Sequence, residues 1–363
     1  MLPEALPSYV RSAKPNPSTN RAAWYTNIAP TYAGIFLWNG FYQGLGADTL
    51  TRVGLGGILL GLVIAGLISY GLFYYVPAML GMKTGHPLYI VGTSTFGTKG
   101  GILMPGLLMG VLQIGWFAVG TFFATQFILK GFHVDSSPMT LPFAAVTVLW
   151  AYTLGYIAVK GIHYVARVAT ILNFVPALIL LVVFAKTSSG ISSYTPSNPD
   201  ATFGVIMTIQ IVVGFFATAG AAGTDFGMSS RSKSDVTLGG LAGIALPIVL
   251  VGGLALAGVA GAHGLDSSLS DFQFGTAVSS IGGRLATGIF FLFAIASVAP
   301  GCFSTFIAAN SFGTMLPRIP RLTSTMVAVT LAAILSITGI AANLVSFFTF
   351  VGASFAPICG AMA

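Results

Sequence analysis

Three short runs carry most of the polar chemistry of an otherwise apolar chain. In Gln113-Ile114-Gly115-Trp116-Phe117-Ala118-Val119-Gly120, an amide and an indole stand at i and i+3 of a helix, with Gly120 one turn further along the same face. A flat ring, an amide and a gap suit a flat, hydrogen-bonding ligand. A packing tryptophan beside a glutamine bonded to a neighbouring helix fits the spacing as well. The run Gly214-Phe215-Phe216-Ala217-Thr218-Ala219-Gly220 offers a second aromatic face and the Thr218 hydroxyl. Two rings with a slot between them stack a base on both faces, each stack worth about 1–3 kcal/mol, although phenylalanine in such helices commonly faces lipid. The third run, Gly301-Cys302-Phe303-Ser304-Thr305, presents two adjacent hydroxyls, and Asn310 adds an amide on the same helix. Hard cations such as sodium take several oxygen ligands. Carbonyls near Ala29 and Tyr32 together with Ser304 and Thr305 make such a set, while back-bonding to the carbonyl four residues earlier is the alternative use of the same hydroxyls.

The groups that are missing also limit the chemistry. No charged residue stands in the middle of an apolar run, which argues against a proton pump built on a carboxylate relay. No run holds a nucleophile–base pair or a metal-ligand cluster, so the chain does not read as an enzyme. Asp225 comes closest to the interior, at the end of the sixth apolar run, as a structural tether or a gate within reach of water or the Arg231 and Lys233 loop. Cys302 and Cys359 fall inside apolar runs and read as inert packing.

The elements that position these residues follow from composition. Of 363 residues, 55% are apolar and 6% charged, and the mean hydropathy is +0.90. Ordinary soluble domains carry about 25% charged residues, so this inventory cannot build a water-facing surface. Apolar stretches of about 20 residues recur, the length a helix needs to cross a bilayer. Runs such as Leu55 to Tyr75 lack the alternation of a barrel strand. Ten spans are expected, at 28–47, 54–80, 102–129, 141–159, 164–185, 204–224, 237–262, 285–311, 323–342 and 344–363, after a polar tail over 1–27. With that tail inside, eleven of the fifteen basic residues fall on its side: Arg11, Lys14, Arg21, Lys83, Lys99, Lys160, Arg167, Arg231, Lys233, Arg318 and Arg321. Arg52, Lys130, Lys186 and Arg284 fall on the other. That asymmetry predicts an amino terminus in the cytoplasm and a multi-pass protein of the plasma (inner) membrane. The basic balance is therefore topological, and no nucleic-acid partner or obligate protein partner is expected.

Spans one and six are interrupted, the first by Pro30 and Gly34, the second by Gly214, Gly220 and Gly223. Two broken helices five spans apart match an all-α membrane fold of the leucine-transporter type, a five-plus-five inverted repeat with its site between the broken helices. The repeats are expected over 28–185 and 204–363. The polar segment from Asp266 to Gly283 is read as a lid on the outer surface or an ordinary interfacial loop.

The stretch from Gln113 to Gly120, with Gly81-Met82-Lys83-Thr84-Gly85, Ser94-Thr95-Phe96-Gly97, the run from Gly227 to Asp235 and Phe355-Ala356-Pro357-Ile358, resembles the nucleobase-cation-symport family, and its first part the cytosine-permease branch. The resemblance runs over 28–363. It implies that Trp116 stacks on a substrate beside Gln113, that Phe216 covers the other face near Thr218, and that sodium is held by Ala29, Tyr32, Ser304 and Thr305. Three positions depart from the pattern. Ala33 stands near an aromatic position, Phe215 replaces a small polar residue, and Gly301 stands where some relatives place an amide. The pocket is thus less polar than cytosine would need, and the ligand broadens to a small planar nucleobase. Relatives also continue with two further helices, so two family helices are expected beyond Ala363. The implied function is sodium-coupled symport of cytosine or a related purine or pyrimidine by alternating access. The alternatives are a proton-coupled permease for purine, hydroxymethylpyrimidine, allantoin or hydantoin, and a membrane receptor that does not transport.

Overall fold

The structure is a computed structural model that describes residues 6–160, 172, 174–316 and 318–363. Among these, eight helices are long and apolar enough to cross a membrane: Leu55–Thr84, Met109–Gly131, Leu141–Lys160, Phe174–Ser193, Ala201–Ala221, Lys233–Leu265, Gly283–Gly313 and Leu344–Met362. Two shorter apolar helices, Ile28–Leu37 and Arg321–Ile337, stand at the positions of spans one and nine. The chain is thus a multi-pass α-helical membrane protein. Part of the fifth span expected at 164–185, and Arg167 with it, lies outside the described residues.

The helices sort into two packed groups. Ile28–Leu37 (α1), the Leu55–Ile68 helix (α2), Ala201–Ala221 (α3) and Leu246–Leu265 (α4) form one. Thr93–Gly131 (α5), Leu141–Lys160 (α6), Val298–Met315 (α7) and Arg321–Ile337 (α8) form the other, and Leu344–Met362 (α9) lies on α3. Small residues set the approach between helices, as is usual where lipid supplies no hydrophobic drive for association. A Cβ on Gly214 of α3 would lie 2.5 Å from the Phe348 carbonyl oxygen of α9, and one on Gly243 would lie 2.8 Å from the Ala29 Cα. Within α5, Gly97 adopts φ 72° and ψ 174°, a left-handed conformation that only glycine takes without strain.

The break in helix one falls in a different place from the one expected, and the break in helix six falls within the expected run. Helix one is continuous from Ile28 to Leu37 and opens at Trp38 (φ −66°, ψ 131°), after which a short turn runs over Asn39–Tyr42. Pro30 does not interrupt it, because a proline in the first helical turn removes an N–H that has no intrahelical partner there. Helix six breaks at Ala222, between Ala201–Ala221 and Gly223–Gly227, within the glycine cluster. The segment 266–283 contains the helix Phe274–Ile281, whose Phe274, Gly275, Ala277 and Val278 are buried. Gln43 fastens it to the end of helix one. Its backbone oxygen accepts from Phe274 N at 3.1 Å, its Oε1 from Gly275 N at 3.2 Å, and its Nε2 donates to Gln273 Oε1 at 3.1 Å.

Candidate binding site at the helix-one break

Trp116 is buried inside a box of rings. Its ring centroid lies 5.1 Å from Phe215 and 4.9 Å from Phe347, both edge-on, 5.8 Å from Trp38 and 5.5 Å from Phe348. Gly120, one turn along α5, makes room for Trp38. A Cβ there would lie 3.1 Å from the indole Cζ2. The site is thus built from helices one, three, six and ten, with Trp38 at the point where helix one opens.

At that opening, Trp38 Nε1 and Asn39 Nδ2 are buried without a hydrogen-bond partner among the described residues; Thr121 Oγ1, next to Gly120 on α5, and Thr218 Oγ1 on α3 are buried and unpaired as well. A buried polar atom left unpaired costs about 1–3 kcal/mol. Its persistence marks a place where a ligand or water completes the bonding. Asn39 also joins helix one to helix eight, accepting at Oδ1 from the Ser297 hydroxyl at 3.4 Å, at the kink before α7.

The expected residues divide between this site and other places. Trp116, Gly120 and Phe215 meet here. Gln113 instead borders a small void of about 10 Å³ shared with Ile114, Phe117, Thr305, Ala308, Ala328 and Val329. Phe216 is turned toward helix one, stacked on Phe36 at 5.8 Å and 18° and tilted against Tyr32 at 5.7 Å. Its neighbour Phe215 therefore holds the place beside Trp116. Ala33 is half-buried on α1, and Asn310 is exposed on α7. Sequence reasoning missed Trp38, Asn39, Thr121, Ser297, Phe347 and Phe348. The Asn39-Gly40 pair after Trp38 was the available signal, since Asn-Gly marks turns.

The proposed sodium ligands belong to two different helices of the fold. Ala29 packs on Gly243, and the Tyr32 hydroxyl donates to the Ala219 oxygen at 2.9 Å. Both residues lie within the continuous α1, so their carbonyls are not freed by an unwound segment. Ser304 and Thr305 lie on α7, which packs on α5, α6 and α8 rather than on α1. Thr305 Oγ1 donates back to the Gly301 oxygen at 3.0 Å, which still leaves lone pairs on the hydroxyl. A Cβ on Gly301 would meet Leu154 at 2.9 Å. Ala29 and Tyr32 thus belong to the packing of α1, and Ser304 and Thr305 to the group formed by α5, α6, α7 and α8.

Asp225 is tied differently from the expectation. Arg231 pairs with Asp235 at 3.4 Å, whereas Asp225 Oδ1 accepts from Leu88 N at 3.2 Å, linking the end of helix six to the segment after helix two. Burial raises its carboxyl from the usual 3.8 to about 6, against the opposing effect of that hydrogen bond. Between those two values the folded chain keeps a proton that the unfolded chain has released, so stability falls as pH rises through the window and levels off above it. Asp225→Asn is expected to flatten this fall. Unfolding temperatures of both proteins at pH 4.5 and pH 7 check it, and an equal drop in both would rule it out.

No family model matches the chain. It is 24% identical over 213 residues to the cytosine permeases of Escherichia coli O157:H7 and of Escherichia coli strain K12, over 56% of this chain and 46% of theirs. The chain thus spans about half the length of the curated relatives it matches. Its structure matches that of Mhp1, a nucleobase-cation-symport-1 family transporter, in a closed conformation with bromovinylhydantoin bound. The TM-score is 0.65 at 15% identity, over 96% of this chain and 80% of that one. The inward-facing conformation of Mhp1 matches with a TM-score of 0.74 at 13% identity, over 97% and 79%. The two packed groups, the two broken helices and the match to Mhp1 together give an all-α fold of the leucine-transporter type. The likeness in sequence is thus to cytosine permeases and the likeness in fold to Mhp1, a nucleobase-cation-symport-1 family transporter.

Proposed function

We infer that the chain is a cation-coupled permease for a small planar nucleobase, working by alternating access between repeats over 28–185 and 204–363. The observation that carries this reading is the Trp116 ring box at the helix-one break, where Trp38 Nε1 and the adjoining Asn39 Nδ2 are buried without partners among the described residues. Trp116 supplies the stacking face, and Trp38 Nε1 and Asn39 Nδ2 supply hydrogen-bond donors for the acceptor atoms on a base edge. Gln113, Phe216, Thr218, Asn310 and Ala33 remain proposed as lining residues of the substrate path. Sodium is the proposed coupling ion, with Ala29, Tyr32, Gly301, Ser304 and Thr305 around it. A ligand shifts a conformational equilibrium only by its differential affinity, so these residues couple only if a second conformation brings the two sets together. The charge asymmetry supports an amino terminus in the cytoplasm.

The test is uptake of labelled cytosine, uracil, adenine and hydantoin into vesicles, with and without a sodium gradient. Uptake of at least one base, lost in Trp116→Ala, is expected. Uptake driven by a proton gradient alone would replace sodium by proton coupling. Binding without uptake would favour a receptor.

Trp38→Phe provides a narrower check, since it keeps a ring against Gly120 and removes the N–H. One neutral hydrogen bond is worth about 0.5–1.5 kcal/mol net. The affinity for a carbonyl-bearing base is therefore expected to fall about 2- to 12-fold in equilibrium binding, and unchanged affinity would remove Trp38 from the donor set.

A further inference from the structure

At the end of the bundle opposite the amino-terminal segment lies a cavity of about 260 Å³, far above the roughly 10–15 Å³ that seats one water. Its walls come from Asp48 after helix one, Phe122, Phe123 and Gln126 of α5, Gln273 of the outer segment, and Ala342 to Val345 before and within α9. Gln126 lies ten residues beyond Trp116 on the same helix, about 15 Å along its axis, so this is a separate place from the ring box.

The polar atoms on its walls are of two kinds. Gln126 Oε1 is sealed from solvent and has no hydrogen-bond partner, and the exposed Asp48 carboxylate forms no hydrogen bond or ion pair among the described residues. These are acceptors. Gln273 Oε1 already accepts from Gln43, and Asn343 Oδ1 accepts from Ser346 N, so what these two lining amides still have to offer is N–H donors. Phe122 and Phe123 add aromatic surface. A bare cation wants acceptors only and a tight cage. A mixture of acceptors, donors and rings in a larger space suits a planar heterocycle carrying both N–H and C=O groups on its edge.

We propose that this cavity is a second binding site, an antechamber that holds the same class of N–H-bearing planar ring before it passes to the Trp116 box. The proposal rests on the nucleobase reading above and adds a place that the central site does not require.

The test uses Ala342→Cys, on the cavity wall, in the full chain in lipid nanodiscs, with a membrane-impermeant maleimide. Cys302 and Cys359 are buried and give little background. Cytosine is the probe. At ten times its dissociation constant, mass action predicts about tenfold slower labelling. That protection is expected to persist with Trp116→Ala, or with Trp116→Phe should the alanine variant not fold, and to vanish with Asp48→Asn plus Gln126→Leu. Protection lost with the tryptophan substitution, or surviving the double substitution, overturns the antechamber. Vesicle uptake of cytosine without protection overturns it alone. Absence of both uptake and protection overturns the nucleobase reading with it.

Discussion

Replacing Gly227 by alanine is expected to lower the unfolding temperature by several degrees, while the same change at Gly56 leaves it unchanged or raises it. A Cβ on Gly227 would lie 2.0 Å from the Ala78 carbonyl oxygen and 2.7 Å from its carbonyl carbon and Cα, and one on Gly81 would lie 2.0 Å from the Thr224 oxygen. Two backbones from helices two and six meet there with nothing between them, so neither yields by turning a side chain. Overpacking of this kind costs about 1–3 kcal/mol. At about 2–4 °C per kcal/mol for chains of 150–250 residues, and less for longer ones, the loss is measurable. At Gly56 a Cβ meets nothing within 4 Å, and alanine gains about 0.5–1 kcal/mol of helix propensity. The amino-terminal segment crosses the same joint. Arg21 donates to the Met82 oxygen at 2.8 Å, Asn16 Nδ2 to the Met228 oxygen at 3.1 Å, and Ala22 N to the Ser229 oxygen at 2.8 Å. A shifted joint should release this strap, so limited proteolysis near residues 16–22 is expected to quicken in Gly227→Ala. Equal stability of the two alanine variants would contradict the close approach.

Membrane placement and helix content were legible in the sequence because they depend on totals of charge and apolar length, which no local detail overturns. The breaks were not equally legible. Glycines mark helix six well, since Gly220 and Gly223 flank the observed break at Ala222. Pro30 misled, because its effect depends on whether it sits in the first turn or the interior, and that depends on where the helix starts. The Trp116 box was half legible. Trp116 is recognisable by residue type and spacing. Phe215 and Phe216 lie about 100° apart around a helix covered on several sides, so only packing decides which ring meets α5. Thr305 shows the same limit at the level of one atom. Its back bond to Gly301 and an ion contact are written by the same residue in the same place.

That choice between adjacent rings leads to the second large effect. Trp116→Ala is expected to weaken nucleobase binding about 5- to 150-fold, the equivalent of one stack of 1–3 kcal/mol, with Trp116→Phe losing less. Phe215→Ala should act in the opposite direction. Phe215 stands edge-on to Trp116 at 5.1 Å and also touches Phe41 at 4.9 Å and Phe348 at 5.3 Å, so it fills the space a stacked base would need. A ligand entering that space must break ring contacts worth about 0.5–1.5 kcal/mol each, and alanine removes that cost beforehand. Tighter binding in Phe215→Ala, with faster association, would identify Phe215 as the plug of the site. Phe216→Ala separates this from a general loosening of helix six. Phe216 has its ring on Phe36 and Tyr32, so its loss should lower thermal stability and leave the stacking face of Trp116 intact. Equilibrium binding of labelled cytosine to all four variants, beside their unfolding temperatures, distinguishes the roles. Weaker binding in Phe215→Ala than in Phe216→Ala, at equal stability, would instead make Phe215 a direct wall of the bound base.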